Sequence, residues 1–149
     1  MISFIVPAYN EESCLAETLE ALHAAGRASN QAYEIVVADD ASTDSTVAIA
    51  LQNNAVIVSV AHRQIAATRN AGAKAASGDW FIFVDADTLV NESVVLAAMH
   101  AMRNGAVGGG SGMRFDEPAP LYARLLLSLV VRLFRATDLA AGCFLFCTR

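Results

Sequence analysis

Asp85-Ala86-Asp87 closes the apolar run Trp80-Phe81-Ile82-Phe83-Val84, and its two carboxylates stand where a buried strand would reach the surface. Side chains alternate along a strand, so residues i and i+2 share a face about 6.6 Å apart, at roughly 3.3 Å per residue. A bend at the strand end brings them closer, and converging carboxylates suit a hard divalent cation. Mg²⁺ and Mn²⁺ take oxygen ligands, commonly one or two carboxylates completed by waters and substrate phosphates. The chemistry this spacing points to is the binding of a metal-bound phosphate ester. A loop with two solvated acids is the plainer reading of a bare Asp-x-Asp, and the surrounding chain has to decide.

Apolar, β-branched runs at residues 2–6, 34–38, 55–60 and 80–84 alternate with helix-length segments near 11–25, 44–53, 65–76 and 91–103. That rhythm predicts an α/β domain with a mainly parallel central sheet. Right-handed crossovers then gather the strand C-terminal ends on one edge, where open α/β sheets bind ligands. Asn10-Glu11-Glu12, Asp39-Asp40 and Asp85-Ala86-Asp87 all fall there. A single cluster of this kind could be helix capping, with Ser42 or Asp44 as caps of the second helix, but three on one edge predict a site. After the Asn104-Gly105 turn, Gly108-Gly109-Gly110-Ser111-Gly112 interrupts a possible fifth strand. It lacks the spacing of a phosphate loop and reads as a flexible or close-packed segment. Residues 142–147 read as a further strand.

The bulk composition narrows the function. The 149 residues fit one domain, and 55% hydrophobic against 17% charged residues argues for a sheet covered on both faces rather than disorder. With 15 acidic and 10 basic residues the net charge is -5, so nucleic acid is not expected as a partner, and a phosphate ligand needs local Arg, backbone donors or a metal. Cys14, Cys143 and Cys147 have neither disulfide-framework nor zinc spacing. With no signal-peptide pattern after Met1, this predicts a cytoplasmic setting. No run reaches the roughly 18 uncharged apolar residues of a transmembrane helix. The leucine-rich stretch 121–135 carries Arg124, Ser128, Arg132 and Arg135 at helical spacing. It reads either as a helix on the core or as a basic amphipathic helix on the inner face of a membrane.

Four segments, Phe4-Ile5-Val6-Pro7-Ala8-Tyr9-Asn10-Glu11-Glu12, Val37-Ala38-Asp39-Asp40-Ala41-Ser42-Thr43-Asp44, Thr68-Arg69-Asn70-Ala71-Gly72 and Asp85-Ala86-Asp87, resemble in order and spacing the family 2 glycosyltransferases. The resemblance implies a GT-A fold, a Rossmann-like three-layer α/β/α sandwich. It also implies a nucleotide-sugar donor, with a UDP-sugar as default, a divalent metal, Mn²⁺ or Mg²⁺, and transfer to an acceptor hydroxyl with inversion. By the same resemblance Pro7, Ala8, Tyr9, Asn10 and Glu11 form the loop over which the nucleoside lies. Asp40, or less favourably Asp39, accepts a hydrogen bond from the base, and a carboxylate suits an imide N–H. Arg69 places a guanidinium near the diphosphate. Asp87 is the expected direct metal ligand, with Asp85 reaching the metal through water or holding the ribose, and these two roles are interchangeable.

Inverting transfer also needs a general base near the acceptor hydroxyl. Family members that resemble this chain carry an acid for it after a Gly-Gly-Phe-type segment, and this sequence reaches Thr148-Arg149 without one. Asp116 is a weak candidate, with Glu117 and Asp138 behind it, each reading equally as a surface acid. The expectation is a catalytic domain incomplete at its C-terminus. His62-Arg63 follows the third strand and could border the donor site, while His23 and His100 read as structural or solvated. Two other functions compete: a sugar nucleotidyltransferase, against which Pro7-Ala8-Tyr9-Asn10 lacks a glycine-rich basic loop, and a non-catalytic nucleotide-binding or membrane-docking fragment. Sugar, base, acceptor and oligomeric state are not legible.

Overall fold

A computed structural model describes residues 1–111 and 142–149. Asp116, Glu117, Asp138 and the 121–135 stretch lie outside the described residues. The described chain runs β1 (Ile2–Ala8), α1 (Leu15–Ala28), β2 (Tyr33–Asp39), α2 (Thr46–Gln52), β3 (Val56–Ser59), α3 (Ile65–Ala75), β4 (Trp80–Val84), α4 (Glu92–Arg103), β5 (Gly108–Gly110) and β6 (Phe144–Thr148).

One six-stranded sheet has the order β3-β2-β1-β4-β6-β5. The first four strands are mutually parallel, with Ile5 level with Val36 on one side and Phe83 on the other. β6 runs antiparallel to β4, and β5 antiparallel to β6. The strand order reverses at β1, whose neighbours β2 and β4 lie on opposite sides, so the C-terminal ends of β1 and β4 flank a topological switch point.

All seven residues of β1 are buried, which is why the strand reads as an apolar run rather than an alternation. On one face, Phe4, Val6, Val37, Ile82 and Val84 pack against Leu15, Leu19, Leu22, Ala50, Val95 and Met99 from α1, α2 and α4. On the other, Ile5, Val36, Phe81 and Ala76 form a smaller cluster beside α3. Three layers result.

α3 lies close to the sheet because of Gly72. A Cβ there would stand 2.7 Å from Ile5 Cγ2 and 3.3 Å from Ala38 Cβ. Since Ile5 is fully buried and β-branched, it has no room to yield. Gly72→Ala is expected to destabilise the fold by about 1–3 kcal/mol through overpacking, offset by up to about 1 kcal/mol of helix propensity. An unchanged urea midpoint would show that α3 relaxes freely. In β5 a Cβ on Gly109 would meet Phe146 Cζ at 2.6 Å and one on Gly108 the Phe146 carbonyl at 3.0 Å, while Gly112 lies outside the described residues.

Helix boundaries differ from expectation at the N-terminal ends. α1 starts at Leu15, not near 11, because Asn10 takes a left-handed backbone (φ 55°) and residues 10–12 are tied to the loop before α2. α2 starts at Thr46, where Asp44 rather than Ser42 serves the first amide: Thr46 N–H donates to Asp44 Oδ1 at 3.0 Å.

Candidate active site

The C-terminal edge of the sheet holds a cavity of about 420 Å³ lined by Pro7, Ala8, Tyr9, Glu11, Asp40, Arg63, Gln64, Ile65 and Thr68. That volume is within the range of small-ligand pockets. β1 and β2 deliver two of its walls in register, Ala8 opposite Asp39, and the ladder continues as Asp40 N–H donates to Ala8 O at 2.9 Å. Asp40 lines the cavity and Asp39 does not. The Asp39 carboxylate is turned to its own loop, 3.4 Å from Ser42 N.

Asp40 is 5% exposed. It fixes the opposite wall: Oδ1 accepts from His62 N at 2.6 Å and Oδ2 from Thr68 Oγ1 at 2.9 Å. The backbone amide of Arg63 is the largest influence holding its carboxyl below the usual range. Burial opposes it, and Thr68 and the amides of His62 and Gln64 add to it. Arg63 itself sits in the left-handed region (φ 51°) with its guanidinium 4.1 Å from the centre of the Tyr9 ring, a cation–π contact across the cavity mouth. Asn30 and Asn54 also have positive φ, but they follow the C-caps of α1 and α2, where such a backbone ends a helix. Asn10, Ala41 and Arg63 instead occupy the loops after β1, β2 and β3, so strained backbone gathers at the site edge.

Residues 10–12 and 42–46 interlock. Asn10 N–H donates to Ser42 Oγ and Glu11 N–H to Thr46 Oγ1, while Asn10 Oδ1 accepts from Thr43 N and Glu12 Oε2 from Ser45 N. Asp44 accepts from Glu12 N–H and from both Thr46 donors. Asn10 thus spends its side-chain oxygen on scaffolding, and its place beside the site is set by its backbone.

The third cluster is held from two sides. Ala86 is buried in the main core and its carbonyl accepts from Thr18 Oγ1 of α1 at 2.8 Å. Asp85 N–H donates to Cys143 O at 3.0 Å, the residue before β6. Burying Ala86 leaves the flanking carboxylates in the open half: Asp85 is partly buried and Asp87 exposed. Asp85 Oδ1 forms an ion pair with Arg69 Nη2. Thr18→Val would leave the buried Ala86 carbonyl without that donor, and a loss of about 1–3 kcal/mol is expected in urea unfolding. Thr18→Ser should restore most of it, and equal stability of all three proteins would show that the anchor carries nothing.

Glu11 connects the cavity to this cluster. Its carboxyl is pushed up, first by burial and then by the charges of Asp87, Asp44 and Asp85, so negative charge converges here. Among the described residues no group of three His, Cys, Asp or Glu side chains forms a ready-made metal cage. A cation that keeps waters and ligand phosphates needs no cage. The hard oxygens of Asp87, whose nearest partner is Thr88 Oγ1 at 3.4 Å, fit such an ion.

The family model described as glycosyl transferase family 2 matches residues 3–141. The chain belongs to glycosyl transferase family 2. This family 2 chain is 31% identical over 157 residues to the undecaprenyl-phosphate 4-deoxy-4-formamido-L-arabinose transferase of Pseudomonas fluorescens, covering 97% of this chain and 45% of that protein. It therefore spans less than half the length of the curated relatives it matches. Among solved structures, TarS of S. aureus in complex with UDP-GlcNAc is 27% identical with a TM-score of 0.62, over 80% of this chain and 36% of that one. Glucosyl-3-phosphoglycerate synthase of Mycobacterium tuberculosis, solved with Mn²⁺, UDP and glucosyl-3-phosphoglycerate, gives a TM-score of 0.72 at 22% identity, over 99% of this chain and 56% of that one. The fold is GT-A.

Within this family 2 fold, the structure brings Pro7, Ala8, Tyr9, Glu11 and Asp40 to one cavity, and Arg69 to Asp85. Gln64, Ile65 and Thr68 also line the cavity, beyond the residues that the motifs mark. Thr68 opens the Thr68-Arg69-Asn70-Ala71-Gly72 segment, directly before Arg69. Nothing in the types of Gln64 and Ile65 marks them. No helix among the described residues is long and apolar enough to cross a membrane.

Proposed function

We propose that this chain is the nucleotide-sugar-binding part of a metal-dependent glycosyltransferase, which moves a sugar from a nucleoside diphosphate donor to an acceptor hydroxyl with inversion. One observation carries the reading: a cavity of about 420 Å³ is lined by Asp40 and by Glu11, whose carboxyl is pushed up by burial and then by the charges of Asp87, Asp44 and Asp85. A base in the cavity with its diphosphate directed to that acidic corner satisfies both halves. The nucleoside lies over residues 7–11. The base N–H arrives at Asp40, and a base that takes one of its oxygens does so in exchange for a donor of the 62–64 loop or Thr68. Donor binding and that loop are thereby coupled.

Asp87 is the side chain proposed to hold the divalent ion, and Arg69 pairs with Asp85, two residues before it. When bound, the ion neutralises charge growing on the departing diphosphate. The support for UDP and Mn²⁺ comes from the fold relatives that hold them. The name of the relative from Pseudomonas fluorescens includes undecaprenyl phosphate, which favours an acceptor at a membrane surface. A cytoplasmic protein docking there through residues 121–135 is the matching proposal for location. Sedimentation with anionic liposomes tests it, and a protein that stays in solution removes it.

Titration of the protein with UDP in a calorimeter is the test of the donor site. Saturable binding in Mn²⁺ that weakens about tenfold or more in EDTA is expected, the factor that about 1.4 kcal/mol represents. Equal affinity with and without metal would sink metal dependence, and no binding in either buffer would sink the donor site.

A further inference from the structure

Asp85 and Asp87 carry the same charge, two residues apart, yet they are not equivalent. Asp85 is partly buried and its Oδ1 is taken by Arg69 Nη2, whereas Asp87 is exposed. The pair is shielded: the side chains of Arg69 and Asp85 are only 19% and 26% exposed, so solvent and salt screen it less than a surface pair. The backbone of Arg69 is fixed by its helix, one turn before Gly72, where α3 meets the sheet without room for a Cβ, and its side chain is restrained by its own burial. Asp85 is anchored equally by its amide on Cys143 O. The Nε of Arg69 is buried with no hydrogen-bond partner among the described residues. Nη2 donates to Asp85 Oδ1 and, more distantly, to Gly142 O at 3.5 Å, while Nε is left unsatisfied.

We infer that Arg69 is a positioning residue that divides labour between the two carboxylates: by holding Asp85 it keeps that group from chelating a cation and leaves Asp87 as the ligand. This rests on the donor-site reading above. The physical reason is competition for one oxygen set. A carboxylate oxygen engaged by a partly buried guanidinium must give up a charge-assisted hydrogen bond before it can serve a cation. Two free carboxylates at this corner, with Glu11 and Asp44 nearby, would instead bind a bare ion without needing ligand phosphates. Arg69 thus makes the corner weak for the metal alone and reserves cation binding for the ion that arrives with a diphosphate.

Mn²⁺ binding in the absence of nucleotide, followed by the electron paramagnetic resonance of free Mn²⁺, isolates this role from any contact between Arg69 and a diphosphate. Arg69→Gln is expected to raise affinity for Mn²⁺ alone by about tenfold, as release of one chelating carboxylate would. Asp85→Asn alone should not raise it, because Asp85 is already withdrawn and its loss leaves the Arg69 guanidinium unpaired beside the cation, and the double variant should fall back toward the wild-type value. Arg69→Lys should lie between wild type and Arg69→Gln, since an ammonium keeps the charge without the planar fork. Thermal melts of each variant confirm folding. An equal rise with Asp85 or Asn at position 85 would overturn the inference, because Arg69 would then act through general charge and not through Asp85. No rise in the single variant, including no Mn²⁺ binding by any variant, overturns it as well. Asp87→Ala, run in parallel, separates the two readings: if it leaves Mn²⁺ affinity intact, the assignment of Asp87 fails while the Arg69–Asp85 cycle is still read on its own.

Discussion

Asp87→Ala is expected to remove the metal-dependent part of UDP binding and to leave the melting temperature unchanged. Both halves follow from one placement. The side chain is exposed, and its nearest hydrogen-bond partner is the adjacent Thr88 hydroxyl at 3.4 Å, so truncation leaves no buried group unpaired and opens no cavity. What goes is charge at the member of the Asp85–Asp87 pair that Arg69 does not hold. Removing a group aimed at charge developing in a transition state typically costs about 10²–10³ in rate. A loss of that order is expected in donor turnover by any protein that contains this domain and a complete acceptor site. Calorimetry of UDP with Mn²⁺ reads the binding half, and a melt reads the stability half. Retained Mn²⁺ dependence in Asp87→Ala would move the metal ligand elsewhere. A large fall in melting temperature would mean that Asp87 is structural.

Asp40→Asn should be the more damaging change to the fold of the site, although it alters a single atom. The carboxylate is buried and accepts from His62 N and Thr68 Oγ1, with the amides of Arg63 and Gln64 also acting on it. An amide group offers one acceptor oxygen, and its NH₂ would meet N–H donors head on. The 62–64 loop then loses its attachment, Arg63 leaves Tyr9, and the cavity wall opens. UDP affinity should fall by about tenfold or more, the factor that one buried donor left unsatisfied represents. The melting temperature should fall with it.

The same residue sets a pH dependence. The folded pKa of Asp40 lies below its ordinary value of 3.8, chiefly through the Arg63 amide. The native state therefore favours the ionised form, so the group's contribution to stability is fully present above the ordinary pKa and is lost as pH falls through the folded value. For Asp44 burial is the largest single influence and raises the value, but the Thr46 hydroxyl and amide and the Glu12 amide together bring it below the ordinary range, so it acts in the same direction. Acid unfolding should accordingly be less steep below pH 4 in Asp40→Asn than in the wild type, as followed by circular dichroism. Identical acid limbs would remove Asp40 as a contributor.

Asp40 also shows where a sequence is silent. Its type and its place after an apolar strand mark it for the site. That its oxygens are shared with residues 62–64 and Thr68, 22 to 28 positions later, depends on how β1, β2 and α3 are packed. Asn10 is the converse case. Its type suggested a ligand contact, and the fold spends its side chain on Thr43. The Asp85–Arg69 pair was likewise invisible as a pair, because each residue had a separate reason to face phosphate. The shift of α1 from residue 11 to Leu15 has the same origin: the loop's bonds to residues 42–46 outcompete helical bonds that local sequence would allow.

Strand runs, helix-length spacers and four ordered motifs were enough to determine the α/β class, the parallel sense of the first four strands and the edge on which the acidic clusters meet. Those are local properties, since burial on both faces demands continuous apolar strands and a crossover demands a spacer of helical length. Tertiary structure alone decided which carboxylate is spent and which is free: Asp39 on its loop, Asp40 on the cavity wall, Asp85 on Arg69, Asp87 in solvent. Ionised groups of one type are distinguished only by the donors that long-range packing brings within about 3 Å of them, and no spacing along the chain encodes that distance.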